Sequence, residues 1–193
     1  MKNDIILAGV GGQGILSIAA IIGLAAVDMG MHLKQAEVHG MSQRGGDVQS
    51  HLRISDEEIA SDLIPKGCAD MIISVEPMES LRYLPWLSPD GYVITNTTPF
   101  VNIPNYPEIG KVLDIVQQQP HYVMLDCDTM AKELESAKSA NMVVLGAASP
   151  FLCIPFERLE AAVAKLFGKK GDAVVALNIK ALNAGRQVAL NSK

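Results

Sequence analysis

An aliphatic run, Asp4–Ala8, passes straight into Gly9-Val10-Gly11-Gly12-Gln13-Gly14, and then into Ile15–Met29, which is apolar nearly all round. A strand that ends in glycines and turns at once into a buried helix opens a layered α/β domain, because the helix must pack back on the strand it leaves. The spacing matches Gly-x-Gly-x-x-Gly with Gly9, Gly11 and Gly14. In that pattern one glycine makes the tight turn and one admits a pyrophosphate close to the backbone. The third lets helix and strand approach. The N–H groups at the start of the following helix then favour an anion.

The remaining pattern repeats strand and helix. Gly30 stops the first helix and His32–Val38 is a second strand. Asp47–Ile54 alternates polar and apolar, as expected of a strand with one wet face at an antiparallel edge. Ala69–Val75, Gly91–Asn96 and Tyr122–Asp126 are further strands. Pro77 opens a helix reaching Tyr83, and Thr97–Tyr106 is irregular. Asp128 is placed to cap a helix to Ser139, and Asn141–Pro150 is a second apolar helix. Pro155 opens another that ends at Gly168, with Leu159, Val163 and Leu166 on one face. The last starts at Asp172, with Val174, Leu177 and Ala181 in one stripe. These elements make residues 1–193 a single Rossmann-like α/β domain. Its sheet is expected to be doubly wound and mostly parallel, with an antiparallel addition.

Composition narrows the function classes. Apolar residues are 49% and charged residues 19%, the profile of a folded core rather than a disordered chain. The net charge of −5 and the lack of a basic, aromatic-interleaved stripe argue against a nucleic-acid partner. The apolar run Ile15–Val27 is too short for a membrane span, and no leader pattern precedes Ile5, so the expected location is cytoplasmic. Cys68, Cys127 and Cys153 are far apart, form no Cys-x-x-Cys pair, and number fewer than the four an iron–sulfur cluster normally needs. No metal site is expected, and they read as small buried hydrophobes.

The dinucleotide fingerprint needs an acid about 20 positions on, and only Glu37 offers itself, somewhat late. The glycines can equally serve a tight turn alone. A second segment, His39-Gly40-Met41-Ser42-Gln43-Arg44-Gly45-Gly46, sets hydroxyl, amide and guanidinium groups on a glycine-flanked loop. Arg44 suits a phosphate or carboxylate, or equally a nearby acid such as Asp47 or Asp62. His39, His51 and His121 are scattered, and His32 and His121 read as strand-edge residues. No nucleophile–base pair emerges, so no residue is assigned a catalytic role.

Taken in this order and spacing, the two glycine segments resemble the γ domain of 2-oxoacid:ferredoxin oxidoreductases. The His-Gly-Met-x-Gln-Arg-Gly-Gly form is similar to the small subunits of the indolepyruvate type. The resemblance extends to Ser74-Val75-Glu76-Pro77 and the helical end of the chain. It implies a subunit without turnover of its own, partnered by a large subunit that carries thiamine diphosphate and iron–sulfur clusters, with ferredoxin served by the complex. Within it, Gly9, Gly11, Gly12, Gln13, Gly14, Ser42, Gln43 and Arg44 are the candidate ligand-facing residues, and coenzyme A at the subunit interface is the candidate ligand. A stand-alone NAD(P)- or flavin-binding oxidoreductase and a non-catalytic nucleotide-binding module stay open at this point.

Overall fold

Ile5 and Leu7 face one side of the first strand, Ile6 and Ala8 the other, and all four are fully buried. A strand buried on both faces must lie inside a covered sheet. The computed structural model describes residues 1–39 and 45–191. It runs β1 (Lys2–Val10), α1 (Ile15–Asp28), β2 (His32–His39), β3 (Asp47–Ser55), β4 (Ala69–Ser74), α2 (Pro77–Arg82) and β5 (Leu87–Asn96). There follow α3 (Ile109–Gln117), β6 (Tyr122–Leu125), α4 (Cys127–Glu133), α5 (Ala140–Ala148), α6 (Phe156–Phe167) and α7 (Asp172–Asn191). The six strands form one sheet in the order β2-β3-β1-β4-β5-β6.

β1, β4, β5 and β6 are parallel, while β3 runs antiparallel to both β1 and β2. The antiparallel addition is therefore present but does not sit at the edge. β2 pairs with its far side, Gln35 opposite Leu52, and takes the edge position. Its polar face is not wet either. His51 accepts the Ile64 N–H at Nδ1 (3.0 Å). Arg53 grips the buried carboxylate of Asp4 with two nitrogens (2.7 and 3.1 Å) and donates to the Ser61 and Leu63 carbonyls. The chain after β3 thus covers that face.

The larger core joins one face of the sheet to α1, α4, α5, α6 and α7, and a smaller one beneath Ile6, Ala8 and Ile72 is closed by Ile64 and Tyr83. α5 and α7 pack backbone to backbone. A Cβ on Gly146 would stand 1.9 Å from the Leu182 carbonyl oxygen, and one on Gly185 1.9 Å from that of Val143. Among the described residues no helix is long and apolar enough to cross a membrane.

Some sequence expectations need correction. α4 is capped by Asp126, which accepts the Thr129 N–H at 2.9 Å, and it ends at Glu133 instead of reaching Ser139. Asp128 lies inside the first turn, its carboxylate bonded to Asn96 instead. α3 is a helix beyond those expected, with Val112 and Val116 on its buried face. In α7 the buried stripe is Asn178, Ala181, Leu182, Gly185 and Ala189, one residue around from the expected one.

Candidate functional site

The carboxyl ends of β1, β4, β5 and β6 gather at one edge. The chain continues from β1 to β2 on one side and from β4 to β5 on the other, so the crevice between β1 and β4 is the topological switch point, where open α/β sheets bind ligands. The first glycine segment lies there. Val10–Gln13 closes as a β-turn, with the Gln13 N–H on the Val10 carbonyl (3.1 Å) and Gly12 at φ 99°. Gln13 secures the turn from its side chain too, Oε1 accepting the Val10 N–H at 2.8 Å. Gly14 is left-handed (φ 82°) at the N-terminus of α1, and no side chain caps that helix. Ser17 N–H turns back to the Gly14 carbonyl (3.0 Å), which leaves the N–H groups of Ile15 and Leu16 at the uncapped helix end.

The glycines divide their duties. Gly9 lies within β1, where an added Cβ would stand 2.8 Å from Ile15 Cδ1, so it permits helix–strand contact and does not line the crevice. Gly11 is engaged by the second segment: its N–H donates to the Gly46 carbonyl (2.8 Å) and its carbonyl accepts from Gly45 N–H (3.4 Å). That N–H is consequently not free for a ligand. Gly12, Gln13 and Gly14 are the members that line open space. Ser42, Gln43 and Arg44 fall outside the described residues. Gly45 and Gly46, which follow them, do bring the two glycine segments together.

Two cavities flank the Gly12–Gln13 turn. One, of about 460 Å³, also takes in Ser17, Ser139, Asn141, Asn178, Lys138 and Lys170. The other, of about 420 Å³, is bounded by Val75, Asn96, Asp128 and Lys138. Asn141, more than nine-tenths buried, donates Nδ2 to the Gly14 carbonyl at 3.1 Å and sits between them. Asn96 ties the neighbouring strand ends, donating to the Val75 and Thr98 carbonyls and to Asp128 (2.7 Å) while accepting the Cys127 N–H. Neither lysine makes an ion pair among the described residues; Lys170 lies 5.2 Å over the Phe167 ring. Amines, amides, hydroxyls and a helix N-terminus together suit an anionic, hydrogen-bonding ligand. None of Asn96, Asp128, Lys138, Asn141 and Lys170 was a sequence candidate.

The cysteines do not fit a cluster. Cys127 is wholly buried, and burial first, then Asp128 and Asp126, push its thiol well above the usual range. Burial raises Cys153 as well, and Cys68 is exposed, so the three form no common site. Among the described residues no group of three or more His, Cys, Asp or Glu could hold a metal ion. The dinucleotide reading fails on topology. Glu37 stands on β2, which β3 separates from β1, so it is two strand spacings (roughly 10 Å) from the strand that carries the glycines. His51 is also no site residue: burial, then Arg53, lower its pKa, and its Nδ1 is committed to the backbone.

The model of pyruvate ferredoxin/flavodoxin oxidoreductase matches residues 4–188. The chain belongs to that family. Among its relatives, the indolepyruvate oxidoreductase subunit IorB of Archaeoglobus fulgidus is 35% identical over 100% of this chain and 98% of its own length. Among solved structures, this member of the oxidoreductase family is similar to the keto/oxoacid ferredoxin oxidoreductase γ subunit from Geobacter sulfurreducens. The TM-score is 0.70 at 24% identity, covering 98% of this chain and 99% of that one. It is also similar to 2-oxoglutarate:ferredoxin oxidoreductase from Magnetococcus marinus, solved with 2-oxoglutarate, coenzyme A and succinyl-CoA bound. There the TM-score is 0.75 at 23% identity, covering 98% of this chain but 31% of that one. A doubly wound sheet of this kind is thus a separate chain in one structure and about a third of a longer chain in the other.

Proposed function

We propose that the chain is the small, cluster-free subunit of an indolepyruvate:ferredoxin oxidoreductase, active only when assembled with a large subunit. The whole-length identity of 35% to an indolepyruvate oxidoreductase subunit carries this reading. The reaction takes an aryl 2-oxoacid, coenzyme A and two oxidised ferredoxins to acyl-CoA, carbon dioxide, a proton and two reduced ferredoxins. Thiamine diphosphate and iron–sulfur clusters, which supply the carbanion and the one-electron steps, belong on the partner. The three scattered cysteines of this chain agree with that division. So does the occurrence of a like fold within a longer chain, since a unit joined covalently in one protein is commonly a tight partner in another.

This chain's own residues contribute binding. The lysine-lined crevice beside Gly12–Gly14 matches phosphate chemistry, and coenzyme A is the reactant that carries phosphates. Arg44, on the segment whose following glycines meet Gly11, would add a bidentate contact. A charge-assisted hydrogen bond contributes roughly 1.5–3 kcal/mol, about tenfold to a hundredfold in affinity. In the assembled enzyme, Arg44→Ala should therefore raise KM for coenzyme A by at least about tenfold and leave KM for the oxoacid alone. Steady-state kinetics after gel filtration read this out. An unchanged KM for coenzyme A removes the ligand-binding role, and full turnover by the large subunit alone removes the subunit assignment.

A further inference from the structure

Glu76, between β4 and α2, is completely buried and pairs with no cation among the described residues. Three donors among the described residues hold its carboxylate. Oε2 accepts the Glu79 N–H at 2.8 Å, and Oε1 accepts the Phe100 N–H at 3.3 Å and the Tyr106 hydroxyl at 2.5 Å. A buried carboxylate is costly unless its lone pairs are met, and these donors come from two separate segments. Capping α2 alone needs only a shorter side chain such as Asp or Ser. The length of Glu76 lets it reach α2 and the irregular segment after β5 together.

That segment, Thr97–Tyr106, has no regular structure, yet it is pinned along its length. Thr98 donates its N–H to Asn96 and its hydroxyl to Asp126, Phe100 and Tyr106 hold Glu76, and between them Asn102 donates Nδ2 to the Gly45 carbonyl at 2.7 Å. Gly45 and Gly46 in turn pair with Gly11. A buried acid therefore anchors the strap on both sides of Asn102, and Asn102 in turn bonds the junction of the two glycine segments.

We infer that Glu76 and Tyr106 are positioning residues for the site at that junction, setting through Asn102 how closely Gly45 and Gly46 are held against Gly11. The inference rests on the reading that these segments face coenzyme A. Burial, then the bond to Glu76, raise the Tyr106 pKa, so its hydroxyl stays a donor throughout the working pH range. Phe100 and Val101 lie beside Asn102 with 43% and 68% of their surface exposed, so the strap is not fixed by burying its own tip. Its position depends on these polar contacts.

The test uses the assembled enzyme with Tyr106→Phe, Glu76→Gln and Asn102→Ala. Amide hydrogen exchange reports the strap directly: peptides covering Gly45–Val48 and Gly9–Gly14 should exchange faster in all three variants. KM for coenzyme A should rise about tenfold in Tyr106→Phe, with KM for the oxoacid and kcat little changed. Combining Tyr106→Phe with Asn102→Ala should add little, because both cut the same line of contacts. Unchanged exchange in these peptides overturns the inference, whatever the kinetics. So does faster exchange with an unmoved KM for coenzyme A, or a fall in melting temperature with all kinetic constants intact. Arg44→Ala separates the two levels. If it raises KM for coenzyme A while Tyr106→Phe does not, the positioning role fails and the ligand reading stands; if neither moves it, the ligand reading itself fails.

Discussion

Gly14 is where one residue decides whether the crevice exists. Its backbone is left-handed, and a Cβ there would lie 2.4 Å from Asn141 Nδ2, the atom bonded to the Gly14 carbonyl. Gly14→Ala thus combines conformational strain with displacement of a buried amide. It should cost about 2–4 kcal/mol, read from the denaturant midpoint. Gly12 is the control. It also has positive φ, but an added Cβ meets nothing within 4 Å, so Gly12→Ala should cost only the strain, about 1 kcal/mol. Equal losses at both positions would contradict the packing role of Asn141. His51 sets a pH dependence. Burial, then Arg53, hold its folded pKa below the ordinary histidine value of about 6.5, so the unfolded chain binds the proton more readily and stability falls as pH drops below about 6.5. The protonated ring would also turn an N–H toward the Ile64 N–H it now accepts. His51→Asn keeps an acceptor and has no proton to gain, so its melting temperature should vary less than wild type between pH 7.5 and 5.5. Parallel curves would rule out His51 as the source.

Elements show what a sequence displays and what it hides. The β1–glycine–α1 unit was legible because all its signals are local: an aliphatic run, a turn chemistry and an apolar helix in one stretch. The alternation in β3 marks an antiparallel strand but not its place inside the sheet, because its polar face is satisfied by distant residues, Ile64 13 positions from His51 and Asp4 49 positions from Arg53. Periodicity reports that a face is polar; it does not say whether water or another segment meets it. α3 carried a legible signal in Val112 and Val116, but nine residues between proline-rich flanks are easily passed over. The site was half legible. Gly12–Gly14 announce themselves, whereas Asn141 reaches Gly14 across 127 positions and nothing local marks it. The α5–α7 contact was hidden for the same reason, since a single glycine inside each helix looks like a propensity loss and not a packing device. Each lets the partner's carbonyl approach. Gly146→Ala and Gly185→Ala should therefore each cost at least about 3 kcal/mol, the upper end of overpacking, though alanine is the better helix former. Denaturant unfolding checks the sign, and a stabilised variant would mean the helices do not meet backbone to backbone.

For the whole molecule, charge and site oppose one another. The chain carries a net −5, which repels a polyanion at long range, while the crevice presents Lys138 and Lys170 with no acidic partner among the described residues. Such a local field is strongest at low ionic strength, because the Debye length falls from about 30 Å at 0.01 M salt to about 8 Å at 0.15 M. If phosphates of coenzyme A bind there, KM for coenzyme A should climb as salt is added, while KM for the oxoacid, a smaller anion that the proposed division of labour assigns to the partner subunit, should respond weakly. Lys138→Gln with Lys170→Gln should raise KM for coenzyme A by about tenfold at low salt, on the order of 0.7 kcal/mol per exposed charge, and should flatten its salt dependence. Neutral glutamine keeps hydrogen-bonding capacity, so the loss isolates charge from packing. A double variant whose salt curve runs parallel to wild type would show that the lysines are ordinary surface groups, and would place the phosphates elsewhere in the complex.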